Sequence, residues 1–179
     1  MHSPSRRSAL RRLGPYRKDL YERPYACAPD SVPRAREHLR QAGEQAQLGE
    51  DLIEIAALVL SELATNAVRH AKDVRERPSF TVSVCVVGRR LRSLRLEVYD
   101  HDAANVPAFP DPKDAPELLY SIDPIEDGGR GLALVATSAD RVGVTPRGRD
   151  GKTVWCEVRL PEQASWSCRA VPSRAEDSA

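Results

Sequence analysis

A chain of 179 residues buries one sizeable core and leaves no room for a second domain of ordinary size, so one site is the expectation. A formal net charge of +1 lacks the basic excess of general nucleic-acid and membrane-surface binders, which points to a small molecule or a protein as partner, with no direct nucleic acid and no membrane. The longest apolar run, Ile55 to Leu60, is far too short for a bilayer. Charges and Gly14-Pro15 interrupt the leucines behind Arg6-Arg7, so no secretory signal is read there and the expected location is cytoplasmic.

Arg6, Arg7, Arg11, Arg12, Arg17 and Lys18 crowd the start of the chain among Ser and Pro, and residues 1–22 read as a basic disordered arm ahead of a domain over 23–161. A short strand over 24–28 leads to a helix over 32–47. Asp30 caps its start, Pro33 lies in its first turn, and Leu48-Gly49 stops it. A second helix over 50–72 places Leu52, Ala56, Val59, Leu60, Leu63 and Ala67 on one stripe, with Glu62 and Asn66 one turn apart at its margin. His70 continues that line and reads as a packing residue.

Strict alternation marks strands over 80–86 and 94–99, joined by a hairpin turn at Gly88. Five prolines and little periodicity fill 100–127, a length that reads as a functional lid. Asp127-Gly128-Gly129-Arg130-Gly131 then opens an apolar helix over 132–139. Strands over 141–146 and 152–160, joined by a second hairpin, close the domain, and 162–179 reads as a flexible tail. Cys27, Cys85, Cys156 and Cys168 have no metal spacing and read as small buried apolar groups.

Three features carry chemistry. A half-buried Glu62 and Asn66 each cost about 1–3 kcal/mol unless they find partners, and Asn66 has no intrahelical mate; a ligand supplies one. Glycines from Gly128 to Gly131 before a helix form either a plain turn or a cradle in which backbone N–H groups and the helix N-terminus meet a phosphate. Asp100 ends a strand at the mouth of the long loop, as a turn residue or as an acceptor for an amine on a base.

The run Glu62-Leu-Ala-Thr-Asn66-Ala-Val-Arg69-His70-Ala71, followed by Asp100, by Gly129-Arg130-Gly131-Leu132 and by Gly151-Lys-Thr153, resembles the ATP-binding domain shared by histidine kinases, gyrase and the ninety-kilodalton heat-shock chaperones. Within that family it is similar to the single-domain anti-sigma-factor serine kinases. The resemblance implies an α/β two-layer sandwich, a mixed, mostly antiparallel sheet with three helices on one face and a long ATP lid. It implies ATP or ADP with Mg²⁺, Asn66 ligating the metal, Glu62 as general base and Asp100 taking the adenine amino group. Gly129, Arg130, Gly131 and Leu132 would form the second glycine box, and Thr153 would lie near the adenine. Arg69 either touches phosphate or is a solvated helix-face residue.

The implied partners are an anti-anti-sigma protein carrying the substrate serine, a sigma factor, and a second copy of the chain in a homodimer. One departure stands out: the family's first box usually has Gly two residues after the Asp, where this chain has Asp102, whose charge falls beside the nucleotide. The rival reading is a protein that sequesters a regulator, nucleotide-gated or nucleotide-independent, without kinase activity.

Overall fold

The computed structural model describes residues 17–70, 78–88, 92–121 and 129–161. The elements are β1 (Arg17–Ala26), α1 (Ser31–Gln45), α2 (Glu50–His70), β2 (Ser79–Val87), β3 (Ser93–Asp100), α3 (Ala115–Ser121), α4 (Gly129–Ser138), β4 (Arg141–Pro146) and β5 (Lys152–Arg159), with a 3₁₀ turn at Gly148–Asp150. Five strands form one open sheet in the order β1-β2-β3-β5-β4. Every pairing is antiparallel, so the sheet is not mixed.

Alternation divides the sheet into two faces. Phe80, Val82, Val84 and Val86 of β2, Leu94, Leu96 and Val98 of β3, and Val154, Cys156 and Val158 of β5 all join the buried core. Against them lie α1 and α2, with Leu39, Leu52, Val59, Leu60 and Leu63 in the same cluster. Burying one such side chain stabilises the fold by roughly 1.5–3 kcal/mol. The stripe read from the sequence is the face α2 buries, against β2, β3 and β5.

The opposite face of the sheet carries charge. Arg95 reaches Glu97 at 2.8 Å and Glu157 at 2.7 Å, and its guanidinium lies 3.9 Å from the centre of the Trp155 ring. Arg17 extends this ladder to Glu97 at 3.1 Å and to Ser83 at 3.0 Å. These contacts tie the first described residue of β1 to its neighbouring strands. Residues 17–22, expected in the arm, pair along β2 from Arg17↔Val87, and Arg17, which looks solvated in the sequence, has partners on the sheet. The first sixteen residues of that arm, the charged run after His70, Gly128 and the tail lie outside the described residues.

Two local expectations are corrected. Asp30 is helical (φ −70, ψ −15) and makes no side-chain cap to α1; its carboxylate sits 3.9 Å from Arg34. The end of α1 comes earlier than Leu48-Gly49, in a turn where Leu48 N–H donates to Gly43 and Gln47 N–H to Glu44, with Gln47 at φ 56. The stretch expected as lid also contains α3. Asp111 starts it, accepting from Lys113 N–H through its side chain and from Ala115 N–H through its carbonyl. Ala115, Leu118 and Leu119 then pack on Ala133 and Ala136 of α4. Among the described residues no helix is long and apolar enough to cross a membrane.

Candidate functional site

A cleft of about 240 Å³ opens where the C-terminal half of α2, the end of β3, the start of β5 and the start of α4 converge. Leu63, Asn66, Ala67 and His70 line it from α2, Asp100 from β3, Lys152 and Val154 from β5, Leu132 from α4, and Asn105, Val106 and Pro107 from the loop between β3 and α3. This volume lies below the ~300–1,000 Å³ of most ligand pockets and suits a planar base better than a whole nucleotide. His70 is exposed and faces the cleft, so it is a mouth residue and not the packing residue expected.

At the deep end stands a buried ion pair absent from the sequence reading. Lys152 Nζ lies 2.8 Å from Asp100 Oδ1 and donates a second bond, 2.7 Å long, to the Asp102 carbonyl. The two residues face each other across the β3–β5 ladder. Gly151 makes this possible: at φ +121 it adopts a backbone that other residues avoid, and a Cβ there would collide with the Asp100 carbonyl and lie 2.7 Å from His101 Cα. Burial raises the Asp100 pKa above the usual carboxylate range, against the opposing bond and charge of Lys152 and the Asp102 backbone bond.

Asp102 does not project into the cleft. Its Oδ1 accepts from the backbone N–H groups of Ala104 and Asn105 at 3.0 and 3.1 Å, and its Oδ2 takes the Asn105 side-chain amide at 2.5 Å. Burial acts to raise its pKa, but the three bonds and the nearby ammonium outweigh it and hold the carboxyl below its ordinary value. Asp102 therefore ties down the loop that forms one wall.

Thr153 is not brought to the cleft. Side chains alternate along β5, and with Lys152 and Val154 lining the cleft, Thr153 faces the other side of the sheet. There its hydroxyl accepts from Arg147 Nε at 3.1 Å.

Glu62 stands beside the cleft, half-buried, against the first turn of α4. A Cβ at Gly131 would collide with Glu62 Oε2 and lie 3.3 Å from Glu62 Cδ, so glycine is what lets the helix approach the carboxylate. Gly129 and Gly131 belong to that first turn, and the helix is longer at its start than the expected 132–139. The N–H groups of a first turn lack intrahelical partners and attract anions. Arg130 is exposed on the same turn, and Arg69 is exposed at the end of α2, outside the cleft lining.

The donors suit a nucleotide: apolar walls from Leu63, Leu132 and Val154, polar groups on the floor, and a glycine-containing helix start. Among the described residues no group of three or more His, Cys, Asp or Glu could hold a metal ion. A divalent ion here would take a protein oxygen from Asn66, which suits Mg²⁺ held jointly by protein and phosphates.

The model of the histidine kinase-like ATPase domain matches residues 25–157. Among solved structures the chain is similar to the SiaB–SiaC complex of Pseudomonas aeruginosa, with 13% identity, TM-score 0.57, and 85% of this chain and 94% of that chain covered. It is also similar to the RsbU and RsbW domains of Rv1364c from Mycobacterium tuberculosis, with 18% identity, TM-score 0.52 and 78% of this chain covered. It spans 32% of the length of that second chain. No curated protein matches in sequence. At these identities the two structures speak for the fold, and the match over residues 25–157 settles the family: this chain belongs to the histidine kinase-like ATPase domain family.

Proposed function

We propose that the chain is an ATP-binding regulatory protein that phosphorylates a serine of an anti-anti-sigma partner and binds a sigma factor in competition with it. The observation that carries this reading is the convergence of Asn66, Asp100 and Leu132 on one cleft, with Glu62 against the first turn of α4, in a domain of this family. The base would enter between Leu63, Leu132 and Val154, and Asp100 would accept its amino group. The phosphates would lie toward Gly129 and Gly131, whose backbone N–H groups complement negative charge. Asn66, with Glu62 nearby, would hold Mg²⁺, which when bound neutralises phosphate charge. Glu62 takes the proton of the partner's serine hydroxyl, a contribution worth ~10²–10⁴-fold in rate. Phosphoryl transfer asks little more of a protein than position and charge. The solved complex of SiaB with SiaC supports a protein partner for this fold.

A second reading has an observation of its own. Lys152 already occupies Asp100 Oδ1, which favours a sequestering protein whose cleft holds nucleotide weakly. Calorimetric titration with ATP, with and without Mg²⁺, followed by mass measurement of a candidate anti-anti-sigma protein, separates the two. Magnesium-dependent binding and a phosphate mass shift that disappears in Glu62→Ala support the kinase. Binding without transfer leaves the sequestering protein.

A further inference from the structure

Lys152 is the one polar group on the floor of the cleft that the proposed site leaves unused. Its side chain is only 5% exposed, and two of its three ammonium protons go to Asp100 Oδ1 and the Asp102 carbonyl. Among the described residues the third has no acceptor, and the side chain lines the cleft. On the carboxylate, the bonds from Lys152 and from the Asp102 backbone N–H both land on Oδ1. Oδ2 is the oxygen left for a ligand. The floor thus offers a charged donor beside a charged acceptor.

A lone carboxylate at this depth would select an exocyclic amine and repel a carbonyl. An ammonium alongside removes that repulsion and weakens the carboxylate as an acceptor, because part of its charge is already matched. A base with a carbonyl next to a ring N–H satisfies both groups: its O6 accepts from Lys152 Nζ, and its N1–H donates to Asp100 Oδ2. Adenine offers instead a ring nitrogen, a poorer acceptor than a carbonyl oxygen, and an amine facing a carboxylate that Lys152 already holds. Both arrangements are charge-assisted, so the acceptor offered to Lys152 decides between them, and the carbonyl oxygen is the better one.

We propose that Lys152 and Asp100 act as a base-reading pair that accepts 6-oxopurine nucleotides, those of guanine or hypoxanthine, at least as well as adenine nucleotides. The inference rests on the reading of the cleft as a nucleotide site. Isothermal titration of the full chain with Mg²⁺ and ATP, GTP or ITP tests it, with a Lys152→Met variant beside the parent. Inosine matters because it presents O6 and N1–H without the 2-amino group.

The expected result is that GTP and ITP bind the parent chain as tightly as ATP or more tightly, and that Lys152→Met shifts preference toward ATP at least tenfold. ATP bound more than tenfold tighter than GTP and ITP by the parent overturns the inference and leaves the nucleotide site standing, whether or not the variant folds. ATP binding that appears only in Lys152→Met makes Lys152 a plug and also overturns it. No purine nucleotide bound by the folded parent or by the variant overturns both the inference and the site.

Discussion

Replacing Asp100 with Asn removes the charge from one member of a pair whose side chains are 4% and 5% exposed. Lys152 is then left buried with the Asp102 carbonyl as its remaining strong acceptor. Breaking a buried pair from one side costs about 3–5 kcal/mol, because the surviving charge is uncompensated. Lys152 keeps its bond to the Asp102 carbonyl, which places the expected loss near the lower bound, about 3 kcal/mol. Against a total of about 5–15 kcal/mol for an ordinary domain, that is a large fraction. Lys152→Met loses a similar amount by leaving the Asp100 carboxylate alone. Asp100→Asn with Lys152→Met removes both charges and falls short of the sum by about 2 kcal/mol, within the range expected of contacting residues. Urea unfolding of the four proteins at pH 7 reads all three numbers. A loss under ~1 kcal/mol for Asp100→Asn, with additivity to within ~0.5 kcal/mol in the double variant, would refute the pair as a structural element. A loss of the expected size also means that Asp100→Asn tests nucleotide binding only under conditions where the variant is shown to be folded.

Gly131→Ala brings a methyl group against the Glu62 carboxylate, which is the mobile end of its side chain. The helix gains up to ~1 kcal/mol from alanine and loses ~0.5–1.5 kcal/mol to a displaced rotamer, so melting should change little while phosphoryl transfer falls about 10²-fold; unchanged transfer removes Glu62 from the base role. Gln47→Gly relieves a left-handed backbone at the end of α1 and should stabilise the chain by ~0.5–1 kcal/mol in urea unfolding, since the αL cost of ~1–2 kcal/mol exceeds the entropy cost of glycine. Asp102 has a folded pKa below its unfolded value of about 3.9, so the stability it contributes is present above that pH and is lost as pH falls through the folded value. The stability gap between the parent and Asp102→Asn should therefore be wide at pH 7 and narrower at pH 3.

The helices and strands with regular apolar periods were legible. Val82, Val84 and Val86 fix β2, and the Leu52-to-Ala67 stripe fixes the buried face of α2, because burial imposes those periods directly. What escaped were the features set by partners distant in sequence. Arg17 looks solvated until Glu97, 80 residues away, is seen beside it. His70 looks like a packing residue until the cleft is seen to pass its side of α2. Lys152 was readable in principle: Val154, Cys156 and Val158 mark the inward face of β5, and counting back by two reaches Lys152, not Thr153. In a strand a shift of one residue moves a side chain through the sheet, and the resemblance alone did not specify the parity.

The two ends of the cleft are held by different forces, and this bears on how the site can vary. At the β3–β5 end, Asp100 is bound into the fold by Lys152 and by the loop that Asp102 ties down, so a change in the proposed base recognition there is also a change in stability. At the α4 end, Glu62 and Gly131 meet through an absence, the missing Cβ, and a larger residue costs the fold little while displacing the carboxylate. Substitutions that abolish the proposed phosphoryl transfer while leaving the chain folded should therefore concentrate around Gly131 and Glu62. Those that alter the proposed base recognition should appear at Lys152 with a measurable loss of stability, after which a change at Asp100 costs less than it does alone.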